Sequence, residues 1–206
     1  MSVMNSQRGA GLIEALVAIL VLSIGLLGMV GMQTASIKYE QTGWVRSALS
    51  SNISSLADRI RANASADANA YTFSRTYAAE RASIEATPLP NTYLSPAKDC
   101  NAEACTNAEL AAYDLVVWRN DLNQQLPGAV GFVTPTGVKG VDLRFGVTVA
   151  WFNKDNLDGT NLRQPEICPV PAVGTTGIAA RNCCPASVGT AAALAGIQCV
   201  NLEIIP

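Results

Sequence analysis

The side chains able to do chemistry are few and unevenly placed. Six cysteines stand at Cys100, Cys105, Cys168, Cys183, Cys184 and Cys199, and histidine is absent. Without histidine the chain lacks the commonest general base, the commonest zinc ligand and every Ser–His or Cys–His nucleophile pair. Ser and Lys remain as nucleophile and base types, but no spacing brings two of them together, and no acid pair stands at a recognisable separation. The expectation is a non-enzymatic protein with no catalytic residue, no cofactor and no bound metal. One charge is oddly placed. Glu14, in "RGAGLIEALVAIL", lies about a turn inside the apolar run that begins at Gly9, and the 18 residues from Ala15 to Met32 carry no charge. A charge at the centre of a membrane helix costs roughly 2.5–3.5 kcal/mol on insertion scales; nearer the edge the cost is smaller but still unfavourable.

An even number of cysteines behind a membrane-inserting start reads as disulfides formed in an oxidising compartment. Zinc is the weaker reading: Cys100 and Cys105 form a C-x4-C pair at the long end of zinc spacing, and no second pair of that kind follows. Spacing does not fix the connectivity. The expectation is Cys100–Cys105 together with one or more pairs among the other four, Cys183 and Cys184 being adjacent and so pairing outward. Asp155 and Asp158 beside Gly159 raise the question of calcium. If Gly159 takes the glycine position of an EF-hand loop, however, Lys154 falls where the first Asp belongs. Asp158–Gly159 is read instead as a hairpin turn.

These groups must be positioned by the elements around them, and the first is the apolar start. Ala10 to Met32 is 23 residues, about 34 Å as a helix, enough to span a bilayer core of about 30 Å. It is too long for a cleaved secretory signal, and no A-x-A site follows it. Arg8 precedes the segment, so the positive-inside rule keeps that end cytoplasmic and sends the residues after Met32 across the membrane. Gly25, Gly28 and Gly31 are either ordinary membrane-helix glycines or points of close packing. Net charge is −2, from 14 basic and 16 acidic residues, which gives no electrostatic reason to expect nucleic acid.

"RGAGLIE" resembles the class III leader of type IV pilins and pseudopilins: a short basic leader ending in Gly, then an apolar helix with Glu at its fifth position. Counted from Ala10, Glu14 is the fifth. The resemblance implies cleavage between Gly9 and Ala10 by a prepilin peptidase and N-methylation of Ala10, with Glu14 setting register during assembly. Ala10 departs from the aromatic usually found first. The block "WRNDLNQQLPGAVGFV", followed by a strand ending "VTVAW", is similar to PilV-type minor pilins, also called type IV pilus modification proteins. That likeness implies an inner-membrane, single-pass protein with a periplasmic head, moved to the pilus and cell surface on assembly. It also implies a role in pilus biogenesis, twitching motility and cell adhesion through priming of the filament. The implied partners are other pilins and minor pilins bound through the N-terminal helix, the prepilin peptidase, the pilus assembly platform and a tip adhesin. A minor pseudopilin of a type II secretion system shares the leader and Glu14, and a membrane-anchored periplasmic binding or adhesin module without a filament role is the third reading.

Past the membrane segment, Val45, Leu49, Ile53, Leu56 and Ile60 form one face of an amphipathic helix, which fades at "RANASADANA". Residues 86–105 read as a loop. Thr106 and Glu109 have capping-box spacing and open a helix to about Leu126, with Leu115, Trp118, Leu122 and Leu126 on one face and Pro127–Gly128 as its stop. "VDLRFGVTVAWF" alternates apolar and polar or small from Val141 to Trp151, a half-buried antiparallel strand; further strands are expected at 129–134 and 197–205. The expected organisation is a leader at 1–9, a transmembrane helical half at 10–32, an amphipathic half at 33–64 and an α+β head at 65–206. The fold class is α+β and type IV pilin-like: a long N-terminal helix packed on an antiparallel sheet, with a disulfide-bearing C-terminal region.

Overall fold

A computed structural model describes residues 10–85, 95–126, 128–154, 156–168 and 178–206. The expected leader, part of the 86–105 loop, Pro127 and Asp155 lie outside these residues. The long helix α1 runs from Ala10 to Ala62. It stops where the large apolar residues stop, with Arg59 and Arg61 in its last turn, favourable charges at the carbonyl end of a helix. A 3-10 turn (Ala68–Tyr71), α2 (Tyr77–Glu85), α3 (Asn107–Gln125), β1 (Val130–Thr136), β2 (Arg144–Phe152), β3 (Leu157–Asp158), β4 (Asn161–Leu162), α4 (Ile178–Asn182) and β5 (Ile197–Ile204) follow. The chain divides into two compact units, the first ending at Arg46 and the second comprising Ser47–Pro206.

In the second unit the main sheet is antiparallel in the order β1-β2-β5. One face carries Gly131, Val133, Val147 and Val149, and Trp118 of α3 packs directly on Gly131. The indole N–H donates to the carbonyl of Asn52 on α1 at 3.1 Å, so α3, α1 and the sheet meet at one fully buried ring. Leu49, Leu56 and Ile60 of the amphipathic face are buried as its spacing predicts, while Ser47, Ser51, Ser54, Asp58 and Arg61 are exposed. This is an α+β fold with a long N-terminal helix packed on an antiparallel sheet.

The structure departs from the sequence reading in three places. β2 begins at Arg144 rather than Val141. The backbone N–H groups of Val141 and Asp142 both donate to the carbonyl of Val138, and the Asp142 carboxylate accepts from the Val138 N–H at 2.8 Å. These groups are engaged in a turn flanked by Gly137 and Gly140, both at positive φ, so they do not join the ladder. Val141 is left 83% exposed. The alternation of β2 holds from Arg144 to Val149, with Phe145, Val147 and Val149 buried and Arg144 exposed, but the second face is not open along its whole length. Its part formed by Val130, Phe132, Ala150, Ile197 and Cys199 is covered by Tyr77 and Ile84 of α2 and by Cys184, Val188 and Leu194. Alternation with Gly, Thr and Ala marks this face as the solvent side only if nothing lies over it, and α2 was not visible in the periodicity. The hairpin at "NLDGTN" forms with Asp158 opposite Asn161. Its turn residues are therefore Gly159, at φ +65°, and Thr160, one position later than the Asp–Gly pair.

Candidate functional site

The residues that set the chain apart lie along the first part of α1. Ala10 is the first described residue of the helix, and Glu14 follows one turn later, about 6 Å along the axis. Glu14 is exposed and forms no ion pair among the described residues. Leu12, Ile13, Leu16, Val17, Ile19 and Leu20 around it are each more than half exposed, as are Met29, Val30 and Met32 farther on. The mean hydropathy of the most apolar 18-residue stretch reaches 2.6, which fits a membrane span by length and composition. Its polar side chain is satisfied locally, Ser23 donating to the Ile19 carbonyl at 2.7 Å, and just beyond it Thr34 donates to the Gly31 carbonyl at 2.9 Å. Such internal closure is what a helix in hydrocarbon requires, because no water is there to bond a free hydroxyl. Glu14 is the exception, since a carboxylate cannot be neutralised by its own helix backbone. At Gly25, Gly28 and Gly31 an added Cβ would meet nothing. Gly9 lies outside the described residues.

The cysteines are brought together in three pairs: Cys100–Cys105, Cys168–Cys183 and Cys184–Cys199. Cys183 and Cys184 diverge, one to the segment after β4 and the other to β5. Asn201 on β5 organises the join, donating to the carbonyls of Cys183 at 2.7 Å and Ala180 at 3.0 Å, while its amide oxygen accepts from Thr148 at 2.8 Å. The Cys168 N–H donates to the Cys184 carbonyl and the Cys184 N–H to the Glu166 carbonyl, so the two C-terminal disulfides pin one backbone crossing over β5.

Sequence reasoning missed the buried polar side chains of the head. Glu80 of α2 is fully buried and pairs with Arg119 of α3 and with Arg75. The Arg119 guanidinium stacks over Phe73, 3.6 Å from the ring centre. Burial, and secondarily the charge of Arg75, push the Arg119 pKa down to about 10, so it stays charged at neutral pH. Asp114 accepts from Arg59 at 2.9 Å and from the Tyr71 hydroxyl at 2.8 Å, and burial raises the Tyr71 pKa. These groups join α1, α2 and α3, and among the described residues no cluster of His, Cys, Asp or Glu is placed to hold a metal.

Comparison with known proteins gives one finding: residues 4–30 match the prokaryotic N-terminal methylation motif. No curated protein and no solved structure matches the chain. The motif covers the leader junction, Glu14 and most of the charge-free stretch, and it implies processing by a prepilin peptidase and assembly with other pilins. Carried on a long apolar helix ahead of a disulfide-bearing α+β head, it supports a type IV pilin-like protein.

Proposed function

We propose that this protein is a minor pilin subunit of a type IV pilus. It is held in the inner membrane with its head in the periplasm until it is extracted into a filament, where it helps prime assembly. The observation that carries this reading is the single carboxylate of Glu14, one turn from Ala10 on the exposed first part of α1, where residues 10–37 carry no other charge, within the methylation motif. Cleavage after Gly9 creates a positive end at Ala10. An unpaired carboxylate buried among apolar helices costs several kcal/mol, whereas a well-placed ion pair offsets that desolvation. Glu14 therefore favours the one stagger in which it meets the amino terminus of a neighbouring subunit. The three disulfides support a periplasmic head, because such bonds persist in oxidising compartments.

Two substitutions test the reading in cells. Gly9→Ala should leave uncut precursor in the membrane fraction, seen as a band of higher mass; normal processing would remove the leader assignment. Glu14→Ala should be processed normally yet be lost from sheared surface filaments, and its retention there would remove the register role. Deletion of the gene should abolish piliation and twitching while leaving protein secretion intact; the opposite pattern identifies a secretion pseudopilin.

A further inference from the structure

The geometry points to a small-molecule site in the head: an apolar cavity that takes a compact aryl or alkyl group bearing one carboxylate, with Lys139 as the cation that receives the acid. The cavity has a volume of about 300 Å3, and Ile60, Tyr71, Leu143, Phe145 and Pro206 contribute to its wall together with Lys139. That volume lies at the small end of ligand sites, which are mostly apolar with a few placed polar groups. The two rings meet edge to face at 6.1 Å, a rigid aromatic corner on which a flat apolar group can rest. Tyr71 is fixed in place, its hydroxyl donating to Asp114 and accepting from Asn63 at 3.2 Å.

Two independent observations distinguish this hollow from an ordinary surface dent. First, exposed large apolar residues are few in the head. Among the described residues after Arg46 they are Val138, Val141, Phe152, Leu157, Leu162 and Ile205. Val138, Val141 and Ile205 are each chain neighbours of a residue in the cavity wall, so half of the exposed apolar residues adjoin wall residues along the chain. Second, the Lys139 ammonium makes one hydrogen bond, to the Ala66 carbonyl at 2.6 Å, and no ion pair among the described residues. Its two other N–H donors remain for a ligand. Asp67, which also lines the cavity, turns one carboxylate oxygen to the Asn69 N–H, and Asp142 accepts from the Val138 N–H. A fixed cation beside an apolar hollow selects an apolar body with an anionic end over a neutral molecule of the same shape.

The test uses full-length protein in lipid nanodiscs and methyl NMR of Ile60 and Leu143, with 3-phenylpropionate as the probe and 3-phenylpropan-1-ol as its uncharged match. Saturable shifts at both methyl groups are expected with the acid. A charge-assisted hydrogen bond predicts that the alcohol, and the acid with Lys139→Met, bind about tenfold more weakly. Ala64→Trp, at an exposed position of the cavity wall, should block binding. Absence of saturable shifts, or equal binding of acid and alcohol, overturns the assignment. If Ala64→Trp loses the dispersed head spectrum, the Lys139→Met and alcohol arms decide alone.

Discussion

At the residue scale the most constrained contact is Trp118 on Gly131. A Cβ at position 131 would overlap the indole ring and come within 3.0 Å of Leu122 Cδ2. Gly131 is in ordinary strand conformation, so replacing it with alanine should help by restricting the unfolded chain, worth about 0.4–1 kcal/mol. Overpacking a buried ring costs about 1–3 kcal/mol and wins. Gly131→Ala should therefore destabilise the head, read as a lower urea midpoint in tryptophan fluorescence; an unchanged or higher midpoint would show that Trp118 moves without penalty. The Glu80–Arg119 pair is governed by a different balance. Removing one partner of a buried ion pair strands the other charge, at a cost of about 3–5 kcal/mol. Glu80→Ala should cost an amount in that range by the same denaturation assay, because Arg75, the remaining neighbour of Arg119, is itself positive. A loss under about 1 kcal/mol would mean that Phe73 and water suffice for the guanidinium.

At the scale of elements, α3 shows how one sequence signal becomes a pH-dependent structure. Thr106 accepts from the Glu109 N–H at 3.3 Å while the Glu109 carboxylate accepts from the Thr106 N–H at 2.7 Å and from Lys98 at 3.2 Å. The backbone bond from Thr106, then the Lys98 bond, lower the Glu109 pKa from its ordinary 4.5. A carboxyl whose folded pKa is depressed contributes stability that is present above the unfolded pKa and is lost as pH falls through the folded one. Glu109→Gln should therefore lower the melting temperature at pH 7, and the gap from wild type should close progressively below pH 4.5; a gap constant with pH would locate the effect elsewhere. This cap, the stripe of α1 and the alternation of β2 were legible in sequence because each repeats at its own period or spacing. α2 was not. "YAAERASIE" has no apolar stripe, and its place is set by long-range bonds, from the Tyr77 hydroxyl to the Gly128 carbonyl at 2.9 Å and from the Tyr77 N–H to the Val188 carbonyl at 2.8 Å. The start of β2 was hidden for a related reason: two glycines at positive φ end the alternation in space, though not in sequence. Of the candidate sites, Glu14 was legible because its signal is a count from Gly9, whereas Lys139 was an ordinary surface lysine until the fold put it beside Tyr71 and Phe145.

At the scale of the molecule, the disulfides share one chemistry but not one role. Cys168–Cys183 and Cys184–Cys199 each join residues 15 apart, and Cys100–Cys105 joins residues 5 apart. Chain entropy alone separates them weakly, since closing a 15-residue loop contributes about 3 kcal/mol and a loop one third as long about 1 kcal/mol less. Burial separates them further. Cys184 and Cys199 are fully enclosed in the core between the sheet and its second cover, while the residues between Cys100 and Cys105 are exposed. Opening the buried bond frees the segment that covers Val130, Phe132 and Ala150, so apolar burial is lost along with the cross-link. The Cys184→Ala/Cys199→Ala double variant should therefore lower the melting temperature well beyond the Cys100→Ala/Cys105→Ala variant, and it alone should expose apolar surface of the head. Thiol reductant under native conditions should open Cys100–Cys105 first, because thiolate attack needs access to the sulfur; mass spectrometry of alkylated peptides over time reads the order. If the two double variants melt alike, or Cys184 is alkylated first, the C-terminal crossing is a local tie and not the clamp that closes the second face of the sheet.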